Sequence, residues 1–349
     1  MITDRNARSG RTPMKRIAPK PRILNDTKPI FSFSPHRLTD RLTPLELLYG
    51  TSDLGIPEVE VADWKLDIAG LVNNPISLSF DDLKGLPKRS IETVFICSGN
   101  PHFPTQPSRK VANVRWAGAD LAQLLEKAKV NERAIYLWSY GLDFGEKENY
   151  GEIPHYVKDM PLTRLQEGDI LIAYELNGEP LAVKNGFPAR LVIPGYYSTN
   201  STKWLFRLEL ADRRADSYHT TVMYNDPNFD ADPSGKVTKP VWAVAPQCIF
   251  ASHKQKNEIL NEPTELWGWA WSRCPVDWVE VSTDGGATWE RAELEPAQRR
   301  AWQRFSYMWT PPKPGDYDVR CRTQDVNGET QPPNNARHSI QSILIAVTS

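Results

Sequence analysis

The 349-residue sequence predicts an α+β domain followed by an all-β sandwich. In the first part of the chain, segments that alternate apolar and polar residues are interrupted by one amphipathic helical pattern. In the last part, β-like segments recur at short spacing with turn residues between them, which is typical of a sandwich of roughly 100 residues. The 29 prolines also favour short strands and loops over long helices.

Changes of pattern along the chain set the predicted domain boundaries. Residues 1–42 read as an extended, polar lead-in. A short helical signal then begins at Thr43, with proline in the first helical position. Residues 226–240 are rich in Asp, Pro and Gly and are typical of a linker. We therefore expect the α+β domain at 43–232 and the sandwich at 233–349.

Within the first domain, alternation predicts strands and one segment predicts a helix. Strands are expected within 60–96 and at 134–139, 170–175 and 189–193. The helix is expected at Asp120–Val130, because its apolar residues fall on one face: Leu121, Leu124, Leu125 and Ala128.

The sandwich is predicted from five β-like segments separated by turns: 265–271, 278–282, 302–309, 316–324 and 339–347. Ser282–Trp289 also matches the Asp-box pattern SxDxGxTW, in which Asp accepts backbone hydrogen bonds and Trp packs the base of a hairpin. The pattern occurs once, so we interpret it as structural rather than as a propeller repeat.

Composition excludes several classes of protein. The formal net charge is −1 and no basic stripe is present, so nucleic acid is not an expected partner. No run approaches the roughly 18 apolar residues of a membrane span. The four cysteines form neither a CxxC pair nor a CxxCH motif, which argues against attached haem, a zinc ribbon and an iron–sulfur cluster. The basic N-terminus lacks an apolar signal core, so we expect a cytoplasmic protein, while export together with a signal-bearing partner stays open.

One cysteine stands where function is often found. Cys97 ends the apolar run Ile91–Ile96 and is followed at once by the small-residue turn Ser98-Gly99-Asn100. Loops that leave a rigid strand tend to carry function, and thiolate is a soft metal ligand. The alternative is that Cys97 is a small buried hydrophobe, as free cysteines commonly are.

Four segments of the first domain, in this order, resemble the sulfite oxidase family of molybdopterin enzymes: Cys97–Asn100, Trp116–Leu121, Asn185–Gly195 and Ser201–Leu205. The sandwich resembles that family's C-terminal dimerisation domain through Val279–Ser282, Asp284–Gly286 and Trp289. The resemblance covers about residues 43–345. It implies a molybdopterin-binding catalytic domain, an immunoglobulin-like dimerisation domain and a homodimer.

The resemblance also implies a cofactor, molybdenum with one molybdopterin, and a set of residues around it. Cys97 matches the metal ligand, and Tyr150 matches a tyrosine near the metal that contacts substrate or relays a proton. The implied cofactor-binding residues are Tyr49, Thr51, Ser52, Asp53, Asp143, Asn185, Arg190, Ser201, Thr202 and Lys203. Arginine and lysine suit the phosphate, because one offers a fork of donors and the other a point charge.

The side of the site that faces substrate departs from the family. Where the family has an Arg-Asn-His run, this chain has Thr51 and Asp53 in place of the arginine and the histidine, and Asn185 replaces a pterin-contacting histidine. Arginines that often follow the Gly-Asn pair are replaced by Pro101 and His102. Each lost charge-assisted hydrogen bond is worth about 1.5–3 kcal/mol, so a dianion site is weakened about 10²-fold or more. Asp53 is expected to repel an anion, whereas protonated His102 would restore positive charge near the metal.

Three hypotheses follow. The leading one is a molybdenum oxidoreductase that oxidises sulfite or a related small sulfur compound by oxygen-atom transfer. It would pass electrons to an external acceptor, a cytochrome or oxygen, because no haem domain is expected. The second keeps the cofactor but takes a less anionic substrate such as a sulfoxide. The third is a non-catalytic binding or assembly protein, against which the intact Cys97, Arg190 and Lys203 argue.

Overall fold

The computed structural model describes residues 21–24, 34–100, 110–253, 257–260, 262–332 and 337–348. Two α-helices occur in these ranges, α1 (Phe80–Lys84) and α2 (Leu121–Ala128). Short 3-10 turns lie at Pro35–Arg37, Leu45–Leu47, Leu162–Glu167, Val183–Asn185 and Ser198–Asn200, and a π-helical turn lies at Tyr218–Met223. In the described ranges no helix has the length and apolarity needed to cross a membrane.

Sheet dominates the described chain. In chain order the strands are β1 (Ile23–Leu24), β2 (Ile56–Pro57), β3 (Lys65–Gly70), β4 (Ile76–Ser79), β5 (Lys88–Ile96), β6 (Val111–Asp120), β7 (Tyr136–Gly141), β8 (Gly145–Lys147), β9 (Gly151–Ile153), β10 (Val157–Pro161), β11 (Leu171–Leu176), β12 (Glu179–Pro180), β13 (Arg190–Val192), β14 (Leu205–Ala211), β15 (Asn225–Pro227), β16 (Thr238–Pro240), β17 (Gln247–Phe250), β18 (Asn257–Leu260), β19 (Thr264–Trp271), β20 (Val276–Ser282), β21 (Glu290–Arg291), β22 (Glu293–Leu294), β23 (Gln303–Trp309), β24 (Gly315–Asp325) and β25 (Gln341–Thr348).

The first part of the chain folds around two five-stranded sheets. One has the order β10-β7-β14-β3-β4, with β14 and β3 parallel. The other has the order β12-β11-β6-β5, with β13 pairing on β11. Apolar residues of both sheets and of α2 form one buried cluster, which includes Leu66, Ile172 and Leu208. Helix α2 contributes its predicted face, since Leu121, Leu124, Leu125 and Ala128 are all buried. The core therefore lies between the sheets and leaves the strand ends free to build a site.

The long hairpin of β5 and β6 fixes the position of Cys97. The two strands pair antiparallel, from Lys88 opposite Ala119 to Ile96 opposite Val111. Cys97 continues the ladder by one bond, because its backbone N–H donates to the carbonyl oxygen of Lys110 at 3.0 Å. The thiol thus leaves the last bonded residue of a rigid strand pair.

The last part of the chain forms two facing sheets of the orders β17-β19-β23-β22 and β18-β25-β24-β20-β21. Their shared core includes Leu266, Val279, Phe305 and Ile345. The Asp-box is structural, as expected: Asp284 accepts hydrogen bonds from Thr288, and the Trp289 indole donates to the carbonyl oxygen of Gly286 at 3.0 Å. The sequence therefore predicted the five longest strands of this region, although it missed β17, β18, β21 and β22.

A third cluster joins the two parts of the chain. Val94 and Ile96 of β5 pack with Trp269 and Trp302, whose rings stack at 4.5 Å. The Trp269 indole donates to the carbonyl oxygen of Leu38 at 2.6 Å. The sheet of β17, β19, β22 and β23 therefore supports the strand that carries Cys97.

Three sequence predictions of local structure need correction. The helix expected from Thr43 is only a 3-10 turn at Leu45–Leu47, because the Thr43 hydroxyl accepts from the backbone N–H of Asn113 at 3.0 Å instead of capping a helix. Helix α1 was not predicted, although Ser79 and Asp82 form a capping box. The expected linker 226–240 contains the paired strands β15 and β16.

Candidate active site

A cavity of about 330 Å³ opens beside Cys97. Ten of the residues predicted for the site line it: Tyr49, Thr51, Ser52, Asp53, Cys97, Asp143, Asn185, Arg190, Ser201 and Lys203. They come from separate loops and strand ends that the two sheets bring together. The cavity is therefore the place where the predicted site residues meet.

Cys97 is a free, half-buried thiol on the wall of this cavity. Its carbonyl oxygen accepts from the backbone N–H of Asn100 at 3.1 Å, which closes the turn after the strand. In the described part of the chain, no three His, Cys, Asp or Glu side chains cluster so as to hold a metal ion. A soft metal at Cys97 fits a cofactor that brings its own sulfur donors.

Arg190 is buried at the start of β13 and is fixed on every side. Its guanidinium carbon lies 4.8 Å from the ring centroid of Phe95 and 4.8 Å from that of Trp116. Its two terminal nitrogens donate to the carbonyl oxygens of Asn185 at 3.0 Å and Ser201 at 2.8 Å. Burial lowers the pKa of Arg190 to about 10, so the side chain stays charged near neutral pH. The buried Nε has no partner among the described residues, which leaves one donor for a bound group.

Lys203 and Asp143 both lie in the cavity wall, and each affects the pKa of the other through its charge. Lys203 Nζ donates to the carbonyl oxygen of Thr51 at 2.8 Å and lies 4.0 Å from the Trp204 ring centroid. Burial and the charge of Arg190 lower the pKa of Lys203, which Asp143 opposes. Burial raises the pKa of Asp143, which Lys203 opposes. Gly141 leaves room for the Asp143 carboxylate, since a Cβ at position 141 would clash with it. An anionic group in the cavity would favour the charged lysine.

Asp53 does not stand as an isolated negative charge. One carboxylate oxygen accepts from Lys147 Nζ at 2.6 Å, and the other lies 2.8 Å from His219 Nε2. Burial alone would raise the pKa of Asp53, but the hydrogen bonds from His219 and Lys147 and the charge of Lys147 hold it below its usual range. The repulsion of an anion expected from the sequence is therefore compensated within the wall.

A buried lysine supports this cluster from behind. The Lys158 side chain is almost fully buried, and its Nζ donates to the carbonyl oxygen of His219 at 3.1 Å and lies 5.1 Å from the Tyr224 ring centroid. Burial lowers the pKa of Lys158 to about 7, with Asp159 opposing the shift and Arg214 adding to it. The folded protein therefore holds this amine neutral at a pH at which the unfolded chain holds it charged.

This shift predicts a pH-dependent stability. The pKa of Lys158 is lower in the folded state, so the unfolded chain binds more protons between about pH 7 and 10.5, and stability rises with pH in that window. From pH 7 to 9 we expect the free energy of unfolding of the wild type to rise about 2–3 kcal/mol more than that of Lys158→Met. Chemical denaturation across this range measures it. The exposed-site variant Lys313→Met should follow the wild type, and a Lys158→Met curve parallel to the wild type would contradict the assignment.

Two predicted site residues, Tyr150 and Thr202, do not line the cavity. Tyr150 sits at the tip of the β8–β9 hairpin between two residues of positive φ, Asn149 and Gly151, and its side chain is 53% exposed. The Thr202 side chain is buried behind the wall, where its hydroxyl lies 2.7 Å from that of Ser139. His102 lies outside the described residues, so its predicted role stays a prediction.

The cavity also contains residues that the sequence did not indicate: Lys110, Lys184, Ser198, Thr199, Tyr156, Met223, Tyr224 and Arg337. Tyr156 replaces the expected Tyr150 at the wall, where its hydroxyl donates to the carbonyl oxygen of Thr199 at 2.6 Å. Burial raises the pKa values of Tyr156 and Tyr224, so both phenols stay protonated. In the sequence, Lys184 was indicated only by its position next to Asn185, whereas nothing in the sequence indicated that Arg337 belongs to the cavity.

Arg337 reaches the cavity from the last part of the chain. One terminal nitrogen donates to the carbonyl oxygen of Ser98, next to Cys97, and the other donates to Asp226 at 2.6 Å. Its Nε is buried and has no partner in the described chain. Arg337 thus places a guanidinium beside the turn after Cys97. In the sequence, the arginines that the family often has after the Gly-Asn pair are replaced by Pro101 and His102.

These residues fit a molybdopterin. Arg190 offers a fixed charge and an unused donor, Lys203 offers an amine whose charged form an anion would favour, and Cys97 offers a soft ligand. The protein would hold the phosphate-bearing pterin through Arg190 and Lys203 and the metal through Cys97.

Comparisons with known proteins identify a domain and several similar chains. The model of the oxidoreductase molybdopterin binding domain matches residues 53–219. The mitochondrial sulfite oxidase of Rattus norvegicus is 27% identical, over 88% of this chain and 61% of its own length. The sulfite oxidase of Gallus gallus is 29% identical, over 90% of this chain and 73% of its own. The chain thus spans about three fifths of the length of the mammalian relative.

The crystal structure of the sulfane dehydrogenase SoxCD from Paracoccus pantotrophus has the same fold. It superimposes with a TM-score of 0.78 at 24% identity, covering 90% of this chain and 83% of that one. The coverage extends the likeness well beyond the residues matched by the domain model. Residues 53–219 therefore match an oxidoreductase molybdopterin binding domain, and the chain is similar to sulfite oxidases over most of its length.

Proposed function

We propose that this protein oxidises a small anionic sulfur compound, sulfite in the first place, by oxygen-atom transfer at a molybdenum–molybdopterin bound beside Cys97. The observation that carries the proposal is the charge of the cavity. Its cationic lining residues are Lys110, Lys184, Arg190, Lys203 and Arg337, whereas its carboxylates are Asp53 and Asp143. Since Lys147 compensates Asp53 through a direct ion pair, the lining cations outnumber the uncompensated carboxylates and the cavity offers an anion a net attraction.

The residues of the chain take separate tasks. Bound molybdenum supplies two-electron exchange, while the protein supplies orientation and charge. Arg190 and Lys203 hold the cofactor, and Arg337 draws the substrate anion towards the turn after Cys97. Tyr224 stays protonated, so its hydroxyl group can donate a hydrogen bond to an oxygen of substrate or product, whereas the Tyr156 hydroxyl already donates to Thr199. Overall, sulfite and water give sulfate, two protons and two electrons, and the electrons pass to an external acceptor, a cytochrome or oxygen.

The test is steady-state turnover by protein shown to contain molybdenum. We expect sulfite-dependent reduction of ferricyanide, and we expect sulfite to be preferred over dimethyl sulfoxide offered with a reduced dye. The cationic lining favours the anion over the neutral sulfoxide. Molybdenum-loaded protein that reduces the sulfoxide and ignores sulfite would overturn the proposed substrate class.

Arg337 allows a sharper test of anion binding. In Arg337→Ala we expect the KM for sulfite to rise about 10–100-fold with kcat less affected, because a charge-assisted hydrogen bond is worth ~1.5–3 kcal/mol. Arg337 also ties the loop at Asp226, so Asp226→Asn is the matched control that loosens the tie but keeps the guanidinium. Equal rises in KM for both variants would assign Arg337 a structural role only.

We further propose that the C-terminal sheets form an immunoglobulin-like unit that makes a two-fold homodimer. The support is the pair of facing sheets and the likeness of this region to the family's dimerisation domain. Light scattering at micromolar concentration should give the dimer mass, and a clean monomer would contradict the proposal.

A further inference from the structure

The rim of the cavity carries a group of exposed apolar side chains. Two segments, 144–152 and 216–240, contain five large apolar residues that are 40–63% exposed: Tyr150, Val222, Met223, Phe229 and Val237. We call these five residues the rim patch. Exposed apolar side chains gathered in this way mark interaction surfaces, whereas single ones are ordinary.

The rim patch is joined directly to the site. Met223 itself lines the cavity. The β15–β16 hairpin, whose connecting loop carries Phe229 and Val237, is anchored by the ion pair of Asp226 with Arg337 at 2.6 Å. The same arginine donates to Ser98, the residue after Cys97. The exposed surface is therefore held at a fixed position relative to the predicted metal ligand.

A series of ring contacts connects the cavity wall to the rim patch. The Tyr156 ring lies 4.3 Å from the His219 ring, and the His219 ring lies 5.1 Å from that of Tyr218. The Tyr218 ring lies 4.7 Å from that of the exposed Tyr150. Packed aromatic contacts thus run without a break from the cavity to the surface.

The surroundings of the rim patch are acidic. The same two segments carry five exposed carboxylates, Glu146, Glu148, Glu152, Asp216 and Asp230, and only two exposed amines, Lys236 and Lys239. The whole chain has a net charge of only −1, so this excess is local. A protein with a basic margin around an apolar contact face is complementary to it, whereas nucleic acid and anionic membranes are repelled.

We propose that the rim patch is the docking surface for a one-electron redox protein that has a basic margin around an apolar contact face. The inference rests on the proposed function, because each oxidation releases two electrons that must leave the buried site. Electron-transfer interfaces are small, with less than about 1,200 Å² buried in total, and charged residues set their rate of encounter. The five exposed apolar side chains and the acidic residues around them, next to the site, suit such an interface.

The test measures binding of ferric mitochondrial cytochrome c, a basic redox protein, by titration at low ionic strength without substrate. In the rim variant Glu146→Gln/Glu148→Gln/Asp216→Asn we expect Kd to rise roughly 5- to 50-fold, from three exposed charge pairs. Val222→Ser/Phe229→Ser should also weaken binding. The matched controls lie elsewhere on the surface: Glu132→Gln/Glu179→Gln/Glu293→Gln and Met308→Ser/Val326→Ser.

Two outcomes overturn the docking proposal: equal weakening by the rim and control variants, or no binding by the wild type at low ionic strength. Turnover gives a second test, in which the rates with the two electron acceptors should respond differently, because ferricyanide is an anion whereas cytochrome c is basic. Neutralising the acidic margin should slow cytochrome c reduction and leave ferricyanide reduction unchanged or faster. Binding is measured without substrate, so absence of sulfite turnover with ferricyanide in the wild type counts against the proposed function and not against the docking surface.

Discussion

Replacement of Cys97 with serine is expected to abolish turnover while leaving the fold intact. A serine hydroxyl is a harder and poorer donor for a soft metal than a thiolate. Loss of residues that merely support a metal ligand typically costs about 10–100-fold, and loss of the ligand itself should cost more, roughly 10³-fold or more. The cost in stability should be small, because Cys97 is half-buried and its backbone, which the substitution leaves in place, makes the hydrogen bonds to Lys110 and Asn100.

The matched control is Cys274→Ser, which changes another half-buried free thiol, between β19 and β20. The sulfur of Cys274 accepts a hydrogen bond from the side-chain amide of Asn327 at 3.0 Å. Steady-state turnover with ferricyanide, together with the molybdenum content of each variant, separates loss of the ligand from loss of the cofactor. Full activity in Cys97→Ser would overturn the assignment of this residue as the metal ligand.

The features that the sequence predicted well depend on neighbours close in the chain. Helix α2 follows from the spacing of Leu121, Leu124 and Leu125, because residues three and four apart share a helix face. The place of Cys97 at the end of a strand followed from an apolar run that ends in a small-residue turn, whereas its role as metal ligand came from the family resemblance and stays a prediction. In both places local preference and the demands of the tertiary structure agree.

The features that the sequence missed depend on distant partners. The Thr43 signal favoured a helix locally, but Asn113 of β6 takes the threonine hydroxyl. Tyr150 matched a family position, yet the turn residues on each side of it place it at a hairpin tip and leave the wall to Tyr156. Arg337 is 239 residues from its partner Ser98, so no local sequence pattern could predict that contact. The substrate side of the site is therefore defined by tertiary contacts more than by motif.

Replacement of Arg190 with lysine is the change expected to separate cofactor retention most clearly from folding. Lysine keeps the positive charge but loses the planar fork that bonds Asn185 and Ser201 together and stacks between Phe95 and Trp116. It also removes the buried Nε donor that has no partner among the described residues. We expect molybdenum and pterin retained after gel filtration to fall about 10–100-fold, since at least one charge-assisted hydrogen bond to the cofactor is lost.

The control for this prediction must be an equally buried arginine that lies away from the cavity. Arg164 meets this need: it is 2% exposed, pairs with Asp169 at 2.7 Å, and does not line the cavity. Arg164→Lys should lower the melting temperature as Arg190→Lys does, because both lose bonds from a buried fork. Only Arg190→Lys should lose molybdenum, measured by elemental analysis, and pterin, measured by fluorescence after oxidative release. If Arg190→Lys retains as much of both as Arg164→Lys, Arg190 stabilises the cavity wall but does not hold the cofactor.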